Sequence, residues 1–274
     1  MHIKLIAADL DGTLLNRSSC LSERTQAVLS RCAAEGIKLV AATGRAYDAM
    51  PACILESGLF DYAITSNGAG IYNTKKALCL QRYVIEESSA RTLIKFALRR
   101  HLGLEMICGG KAYGERYYFE HPQDFGFEQR SLDYLYSTRT KIEDLDAFLA
   151  ENIHHLESID FILPHPEMKT RFAAAFAADT ALYITSSYPR ILEFSSRACG
   201  KANALRYLLQ KEKLLPEQVA AFGNAENDVE MLQLAAIGVA TANSPPEVRK
   251  KVRYTCGDCD RDGVAEFIEQ RLHL

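Results

Sequence analysis

The chain has 274 residues, 48% of them hydrophobic, and this length favours one large domain or two domains of moderate size. Its 32 basic residues against 35 acidic residues give a formal charge of -3, which argues against a basic surface for nucleic acid or an anionic membrane. No run of about 18 apolar residues occurs, and charged residues appear early, so we expect a cytoplasmic protein without signal peptide or membrane span.

The eight cysteines are expected to be reduced thiols, because the chain is long and shows no secretion signal. Only Cys256 and Cys259 form a Cys-x-x-Cys pair. With no second pair and no histidine close by, we interpret them as loop or core thiols, and a zinc or redox site is the alternative.

The first predicted element is a continuous apolar run that begins at Leu5 and shows no helical period, which is typical of a strand buried on both faces. It stops at Asp9 and Asp11, whose spacing of two directs both carboxylates to the same side. Gly12 lets the chain turn away at once, and ligands usually bind where such strands end in an open parallel sheet. An ordinary Asp-Gly turn is the alternative.

The following segment predicts the crossover helix of a right-handed β-α-β unit, capped by Ser22 and ended by Gly36. A second buried strand is predicted over 37–42. Three residues suited to holding an anion come directly after it: Thr43, Gly44 and Arg45. They offer a hydroxyl, a flexible backbone and a guanidinium just before a helix predicted over about 46–57.

A third strand, predicted over Tyr62–Thr65, also ends at a polar turn, which contains Asn67. From about residue 78 to 190 the character changes to aromatic-rich alternating segments such as 111–119, which predict antiparallel hairpins. The helices predicted in this region lie at about 86–101, 143–152 and 167–178, and its further strands at 156–163 and 181–185. We expect a separate α+β module inserted into the first domain.

The strand-helix pattern then resumes, with Lys201 at the start of a helix and a strand predicted over 218–222. Three polar residues follow at positions i, i+3 and i+4: Asn224, Asn227 and Asp228. This spacing predicts that all three project from one face of the first helical turn. A last strand is predicted over 237–240, before a polar segment that contains Asn243.

Together these motifs resemble the haloacid dehalogenase superfamily, and in particular its Cof-type phosphatases of group IIB. The residues that carry the resemblance are Asp9-Leu10-Asp11-Gly12-Thr13, Thr43-Gly44-Arg45, Ser66-Asn67-Gly68-Ala69, Gly200-Lys201, and Gly223-Asn224-Ala225-Glu226-Asn227-Asp228 with Met231. Their order and spacing cover essentially the whole chain. The specific part is the combination of the early strand end with the late helix start.

The resemblance implies an α/β fold with a Rossmann-like, doubly wound parallel sheet as the core, over residues 1–82 and 191–274. It also implies an inserted α+β cap domain of C2B type over 83–190. Such a cap would close over the core and present the residues that select the substrate. Five residues of this region are candidates for selecting the substrate, although each could equally well lie in the core of a hairpin or on the solvated surface: Tyr113, Arg116, Tyr117, Tyr118 and Arg130.

By the same resemblance, Asp9 would attack phosphorus to form an aspartyl phosphate, while Asp11 would protonate the leaving oxygen and then activate water. Thr43 and Lys201 would complete the catalytic set by holding the phosphoryl group. The residues assigned to substrate binding are Thr43, Gly44, Arg45, Asn67 and Asn227.

Mg²⁺ is the implied cofactor, held by the Asp9 carboxylate, the Asp11 carbonyl and the late acidic motif. Family members usually have Asp where this chain has Asn224, so Asn224 or Asp228 is expected to hold the metal. The expected function is Mg²⁺-dependent hydrolysis of small phosphorylated metabolites, such as sugar phosphates, a cofactor phosphate or pyridoxal phosphate, by a monomer or homodimer that binds no nucleic acid and no membrane. The alternative is a catalytically weak phosphometabolite-binding or regulatory protein.

Overall fold

A computed structural model describes residues 2–127 and 129–272, and the side chains of 129–131, with the candidate Arg130, lie outside the described part. The chain divides into two compact units. The first consists of Met1–Gly44, Met50–Gln81 and Gly200–Leu274, and the second of Arg45–Ala49 and Arg82–Cys199.

The helices and strands of the first part of the chain begin with the strand that carries the two carboxylates. In order they are β1 (Leu5–Ala8), α1 (Glu23–Ala34), β2 (Lys38–Ala42), α2 (Ala52–Leu55), β3 (Tyr62–Thr65), β4 (Gly70–Asn73) and β5 (Leu78–Arg82). The Ser22 hydroxyl accepts a hydrogen bond from the Thr25 amide at 3.0 Å, so the predicted cap of α1 is confirmed.

The second unit contains both helices and strands, and they do not alternate regularly along the chain. They are α3 (Glu87–Arg99), β6 (Gly103–Cys108), β7 (Lys111–Glu115), α4 (Arg116–Glu120), α5 (Gln129–Thr138), β8 (Arg139–Ile142), α6 (Leu145–Asn152), β9 (Leu156–Ile162), α7 (Met168–Phe176), β10 (Leu182–Thr185) and β11 (Ile191–Ser196).

The last part of the chain returns to the first unit and restores the strand-helix alternation. Its elements are α8 (Lys201–Glu212), β12 (Val219–Gly223), α9 (Val229–Leu234), β13 (Ile237–Thr241), α10 (Pro246–Arg249), β14 (Tyr254–Cys256) and α11 (Gly263–Phe267). Across the described residues, no helix is both long enough and apolar enough to cross a membrane.

The sheet of the first unit has the strand order β14-β13-β12-β1-β2-β3-β4-β5. The strands from β14 to β3 run parallel, while β4 returns antiparallel to β3. All four residues of β1 are buried, because β1 lies inside the sheet between β12 and β2. The carboxyl ends of the parallel strands therefore meet at one edge, next to the end of β1.

The sheet of the second unit has the order β10-β11-β9-β6-β7-β8 and is antiparallel except for the pair β7 and β8. Alternate residues of its strands bury one apolar face against α3, α6 and α7, as the period of two requires. The rings of Phe161, Phe176 and Phe194 pack together in this core. The predicted fold class, a parallel α/β core with an inserted α+β domain, is confirmed.

The boundaries of the second unit differ from the predicted 83–190. Strand β11 pairs antiparallel with β9 and β10, so this unit extends to Cys199. A buried strand shows the same apolar pattern in either sheet, and the sequence could not say which sheet it joins. The segment Arg45–Ala49 also groups with the second unit, since Ala46 and Ala49 pack against the β6-β7 hairpin.

One local prediction was wrong, and a second is confirmed only over part of its length. The helix expected over about 46–57 is a 3₁₀ turn followed by the short helix α2, because Pro51 disfavours helical geometry in the residue before it. The antiparallel hairpin predicted from segment 111–119 is confirmed between β6 and β7, but its strand ends at Glu115. The Glu115 carboxylate accepts hydrogen bonds from the Tyr117 and Tyr118 amides and starts α4.

Candidate active site

Asp9 is the first residue after β1, and its carboxylate is fixed at both oxygens. Its amide donates to the Phe222 carbonyl at 3.0 Å, which continues the pairing with β12. Oδ1 accepts from the Lys201 ammonium at 2.8 Å, and Oδ2 accepts from the Thr13 hydroxyl at 3.1 Å. The carboxylate is thus buried and oriented by two different donors.

Gly12 shapes the turn that follows Asp11. Its φ of +79° lies in the left-handed region, and an added Cβ would come within 2.6 Å of the Asn224 side-chain amide. The Gly12 carbonyl accepts hydrogen bonds from Asn243 Nδ2 at 2.8 Å and from the Thr241 hydroxyl at 3.3 Å. The end of β13 therefore holds this turn in place.

Lys201 is the first residue of α8, and only 1% of its surface is exposed. Its ammonium bridges two carboxylates, at 2.8 Å from Asp9 Oδ1 and 2.6 Å from Asp228 Oδ1. Asp228 Oδ2 accepts from the backbone amides of Asn224 and Ala225, at 2.8 and 2.9 Å. Both oxygens of Asp228 are therefore engaged by hydrogen-bond donors.

This arrangement buries more negative than positive charge. Burial raises the pKa of Asp9 to about 7, and the neighbouring Asp228 carboxylate adds to the rise while Lys201 opposes it. Burial alone would lower the pKa of Lys201, but the Asp228 and Asp9 carboxylates outweigh it and hold the pKa above its ordinary value. Two carboxylates against one ammonium leave a demand for further positive charge at this place.

The side-chain amide of Asn224 lies against the same group of oxygens. Its nitrogen faces Asp9 Oδ2 at 3.0 Å, the Asp11 carbonyl at 3.1 Å and the Thr13 hydroxyl at 3.2 Å. This orientation makes all three contacts hydrogen bonds, whereas in the opposite one the amide oxygen would face the Asp9 and Asp11 oxygens and could accept only from the Thr13 hydroxyl. A single point near Asn224 is thus within hydrogen-bonding reach of several oxygens.

The residues present fit a hard divalent cation. The Asp9 carboxylate and the Asp11 carbonyl converge on one atom of Asn224, and turning that amide over would add its own oxygen to the set. Mg²⁺ is commonly held by one or two carboxylates together with neutral oxygens and substrate phosphate. The uncompensated negative charge described above favours the same ion.

Three further residues that the sequence analysis assigned to the site also lie in the first unit: Thr43, Asn67 and Asn227. Thr43 is buried at the end of β2, and its amide donates to the Ile64 carbonyl at 2.8 Å. Asn67 Oδ1 accepts a hydrogen bond from Asn227 Nδ2 at 2.8 Å, so these two predicted substrate-binding residues contact each other.

The prediction that 224, 227 and 228 project from one helical face was wrong. Asn224 precedes the 3₁₀ turn Glu226–Asp228, so its amide is directed at Asp9, whereas Asn227 contacts Asn67 and Asp228 contacts Lys201. The spacing rule applies only within a helix, and the helix starts later than the sequence pattern indicates.

Arg45 follows Gly44, the last residue of that stretch of the first unit, and itself belongs to the second unit. There its guanidinium lies 4.7 Å from the centre of the Tyr134 ring and donates to the Ala49 carbonyl at 3.1 Å. The structure does not group Arg45 with Thr43 and Gly44, although the three are consecutive in the chain.

The predicted substrate-selecting side chains of the second unit have partners within that unit. The Tyr118 hydroxyl donates to Glu105 at 2.7 Å from a fully buried position, and the Tyr113 ring packs 4.9 Å from the Phe148 ring. Arg116 forms an exposed ion pair with Glu120 one helical turn away. These contacts favour the hairpin-core and surface interpretations.

Sequence reasoning missed the groups that hold the Asp9-Gly12 turn. Thr13 was part of the motif but received no role, although its position four residues after Asp9 was a usable signal. Thr241 and Asn243 contact Gly12 from more than two hundred residues away, and no local sequence pattern predicts that contact.

The free thiols Cys256 and Cys259 are poor thiolates, because burial raises their pKa to about 12 and about 11.

The comparisons with known proteins agree with this geometry. A model of the haloacid dehalogenase-like hydrolase family matches residues 6–268. Phosphatase YwpJ of Bacillus subtilis is 27% identical over 98% of this chain and 100% of its own length. The pyridoxal phosphate phosphatase YbhA of Escherichia coli is 26% identical over 99% of this chain and 100% of its own.

Among solved structures, a haloacid dehalogenase-like hydrolase from B. subtilis has a TM-score of 0.86 at 24% identity, and it covers 98% of this chain and 100% of its own. This similarity extends the agreement to the fold. The predicted superfamily is confirmed, since the family model spans nearly the whole chain and includes Asp9, Lys201 and Asp228. The chain belongs to the haloacid dehalogenase-like hydrolases.

Proposed function

We propose that this protein is a phosphatase that hydrolyses small phosphorylated metabolites through an aspartyl phosphate on Asp9. The observation that supports this most directly is the buried Asp9 carboxylate at the end of β1, held 2.8 Å from the Lys201 ammonium. A fixed carboxylate beside a compact positive charge is suited to attack an anionic phosphoryl group, because the ammonium offsets the repulsion between them.

In the proposed reaction an Asp9 oxygen attacks phosphorus, and the bond between phosphorus and the leaving oxygen breaks. Asp11 donates a proton to that oxygen, so the product leaves as an alcohol. Water then attacks the aspartyl phosphate, Asp11 takes up the proton of the water, and inorganic phosphate departs. Thr43 and Lys201 hold the phosphoryl oxygens in both steps.

Superfamily members of this type are generally metal-dependent, and we propose Mg²⁺ as the cofactor here. Asp9, the Asp11 carbonyl and the Asn224 side chain would hold it. When bound, the ion supplies charge stabilisation to the phosphoryl oxygens and helps to orient them. Asp228 instead orients Lys201 and the loop at 224–225, since both its oxygens are engaged there.

The substrate is proposed as a class, small phosphate monoesters, and similarity suggests members to test. The E. coli relative acts, by its name, on pyridoxal phosphate, at 26% identity to this chain. Pyridoxal phosphate and sugar phosphates therefore belong in a first panel.

The test is release of inorganic phosphate from p-nitrophenyl phosphate and from this panel, with added Mg²⁺ and with a chelator. We expect turnover with Mg²⁺ and its loss on chelation. Absence of phosphate release from every compound at saturating Mg²⁺ would refute the proposal.

One observation favours a second function. The Asn224 nitrogen donates to the oxygens that a cation would need, so the site is partly satisfied without metal. A weakly catalytic protein that binds phosphometabolites would show this arrangement, and the same assay combined with a calorimetric binding titration of the panel compounds separates the two. Binding of a panel compound without its hydrolysis would favour the binding protein.

Replacement of Asn224 by aspartate is expected to tighten Mg²⁺ binding by about 10- to 100-fold. A hard cation prefers an anionic oxygen, and a carboxylate at 224 cannot donate to Asp9 and the Asp11 carbonyl as the amide does. Calorimetric titration with Mg²⁺ measures the affinity directly, and the Mg²⁺ concentration for half-maximal activity provides an independent value.

Asp228→Asn is the comparison variant, because it removes a carboxylate that binds Lys201 and backbone amides. We expect it to alter Mg²⁺ affinity less than Asn224→Asp does. Unchanged affinity in both variants would show that neither position reaches the metal.

A further inference from the structure

We infer that Asn67 and Asn227 form a positioning pair that sets the place of the Lys201 ammonium beside Asp9. This role differs from the substrate binding that the family resemblance implied for both residues. The inference rests on the proposed function for its activity readout, but its structural basis is independent of it. All contacts involved lie within the first unit.

The turn around Asn67 has an unusual backbone. Ser66, Asn67 and Gly68 are consecutive left-handed residues, with φ of 49°, 52° and 98°. Asparagine tolerates this region better than most side chains, whereas serine does so at some cost. Such strain persists only where surrounding contacts fix the backbone.

Those contacts join two parts of the site. The Asn67 amide donates to the Thr43 carbonyl at 3.1 Å, and the Asn67 carbonyl accepts from the Gly200 amide at 2.8 Å. One residue thus ties the end of β2 to the residue directly before Lys201.

The approach of this turn to Gly200 leaves no room for adjustment. A Cβ added to Gly68 would lie 2.5 Å from the Gly200 carbonyl oxygen, and Gly200 itself has φ 111°. The backbone that starts α8 is therefore packed directly against the turn, and a shift of the turn would move Lys201 with it.

The side chain of Asn67 is also linked to the Lys201 ammonium, through Asn227 and Asp228. Its Oδ1 accepts from Asn227 Nδ2 at 2.8 Å, with only 3% of Asn67 and 4% of Asn227 exposed. Asn227 precedes Asp228, which binds Lys201 at 2.6 Å. The contacts form a closed ring from Asn67 through Gly200, Lys201, Asp228 and Asn227 back to Asn67.

Removing either side-chain amide breaks this ring at the same buried hydrogen bond. Asn67→Gly keeps the left-handed backbone and deletes the side chain, while Asn227→Ala deletes the donor. We expect each variant to lower kcat by about 10- to 100-fold, because small displacements of reacting groups have effects of this size. KM should change little, and the double variant should fall no further than the more affected single variant.

Asn73→Gly is the matched control. Asn73 is the last residue of β4, the strand that follows the Asn67 turn, and its side chain accepts a hydrogen bond from the Lys76 amide at 2.9 Å, away from the ring. Asn73→Gly also removes a hydrogen bond to an asparagine side-chain oxygen, but an exposed one outside the ring, so kcat should stay at the parental value.

The direct readout is the ¹⁵N resonance of the Lys201 ammonium, assigned by its loss in Lys201→Arg. We expect it to shift in Asn67→Gly and Asn227→Ala and to stay in place in Asn73→Gly. An unmoved resonance, additive losses of kcat, or a change confined to KM would each overturn the inference. If the parent protein is inactive but the Lys201 resonance still shifts in Asn67→Gly and Asn227→Ala, the proposed function is refuted and the positioning role stands.

Discussion

Asp9→Asn is expected to abolish turnover while the protein remains folded. The amide has nearly the shape of the carboxylate but cannot attack phosphorus, so the covalent route is lost, at a cost of at least about 10⁴-fold in kcat. The fold should survive because Lys201 keeps Asp228 as a partner at 2.6 Å. Removing one of two buried carboxylates leaves no unpaired cation.

The measurement is the steady-state rate of phosphate release, with thermal unfolding as the check on folding. Acid-quenched parent protein should carry phosphate on Asp9, and the variant should carry none. Asp260→Asn is a suitable control, since Asp260 forms an exposed ion pair with Arg17. Activity above a few per cent in folded Asp9→Asn would contradict the mechanism.

Asp11→Asn is expected to slow hydrolysis by roughly 10² to 10⁴-fold, the range typical of general acid-base catalysis. The loss should depend on the leaving group. An alkoxide needs a proton to depart, whereas p-nitrophenolate leaves readily without one.

This dependence is tested by comparing p-nitrophenyl phosphate with an alkyl phosphate for the parent and for Asp11→Asn. The penalty should be clearly smaller for p-nitrophenyl phosphate in the step that forms the aspartyl phosphate, followed as the burst of p-nitrophenol. Equal penalties for both substrates in that step would exclude Asp11 as the proton donor.

The elements with the strongest patterns were predictable from sequence. The predicted strand over 62–65 matches β3, and the strands predicted at 37–42 and 237–240 differ from β2 and β13 by one residue at one end. Buried parallel strands are continuous apolar runs, so their signal is local and strong. The polar residues after them follow directly in the chain.

Weak local signals gave the errors. A proline decided the break before α2, and the Glu115 carboxylate ended the alternation before α4. Strand β11 was not predicted from the sequence, and the sheet that it joins depends on its pairing with β9 and β10. Partners far along the chain leave no trace in a local pattern.

By itself, the sequence determined the family and the residue types at the ends of the strands, because apolar runs and motif spacing are local properties. Only the tertiary structure decided what these residues contact: Lys201 bridges Asp9 and Asp228, Asn224 faces the Asp9 and Asp11 oxygens, and Asn67 binds Asn227. The physical reason is that a parallel sheet brings together strand ends that are more than two hundred residues apart in the chain, and hydrogen bonds and charge then select the partners.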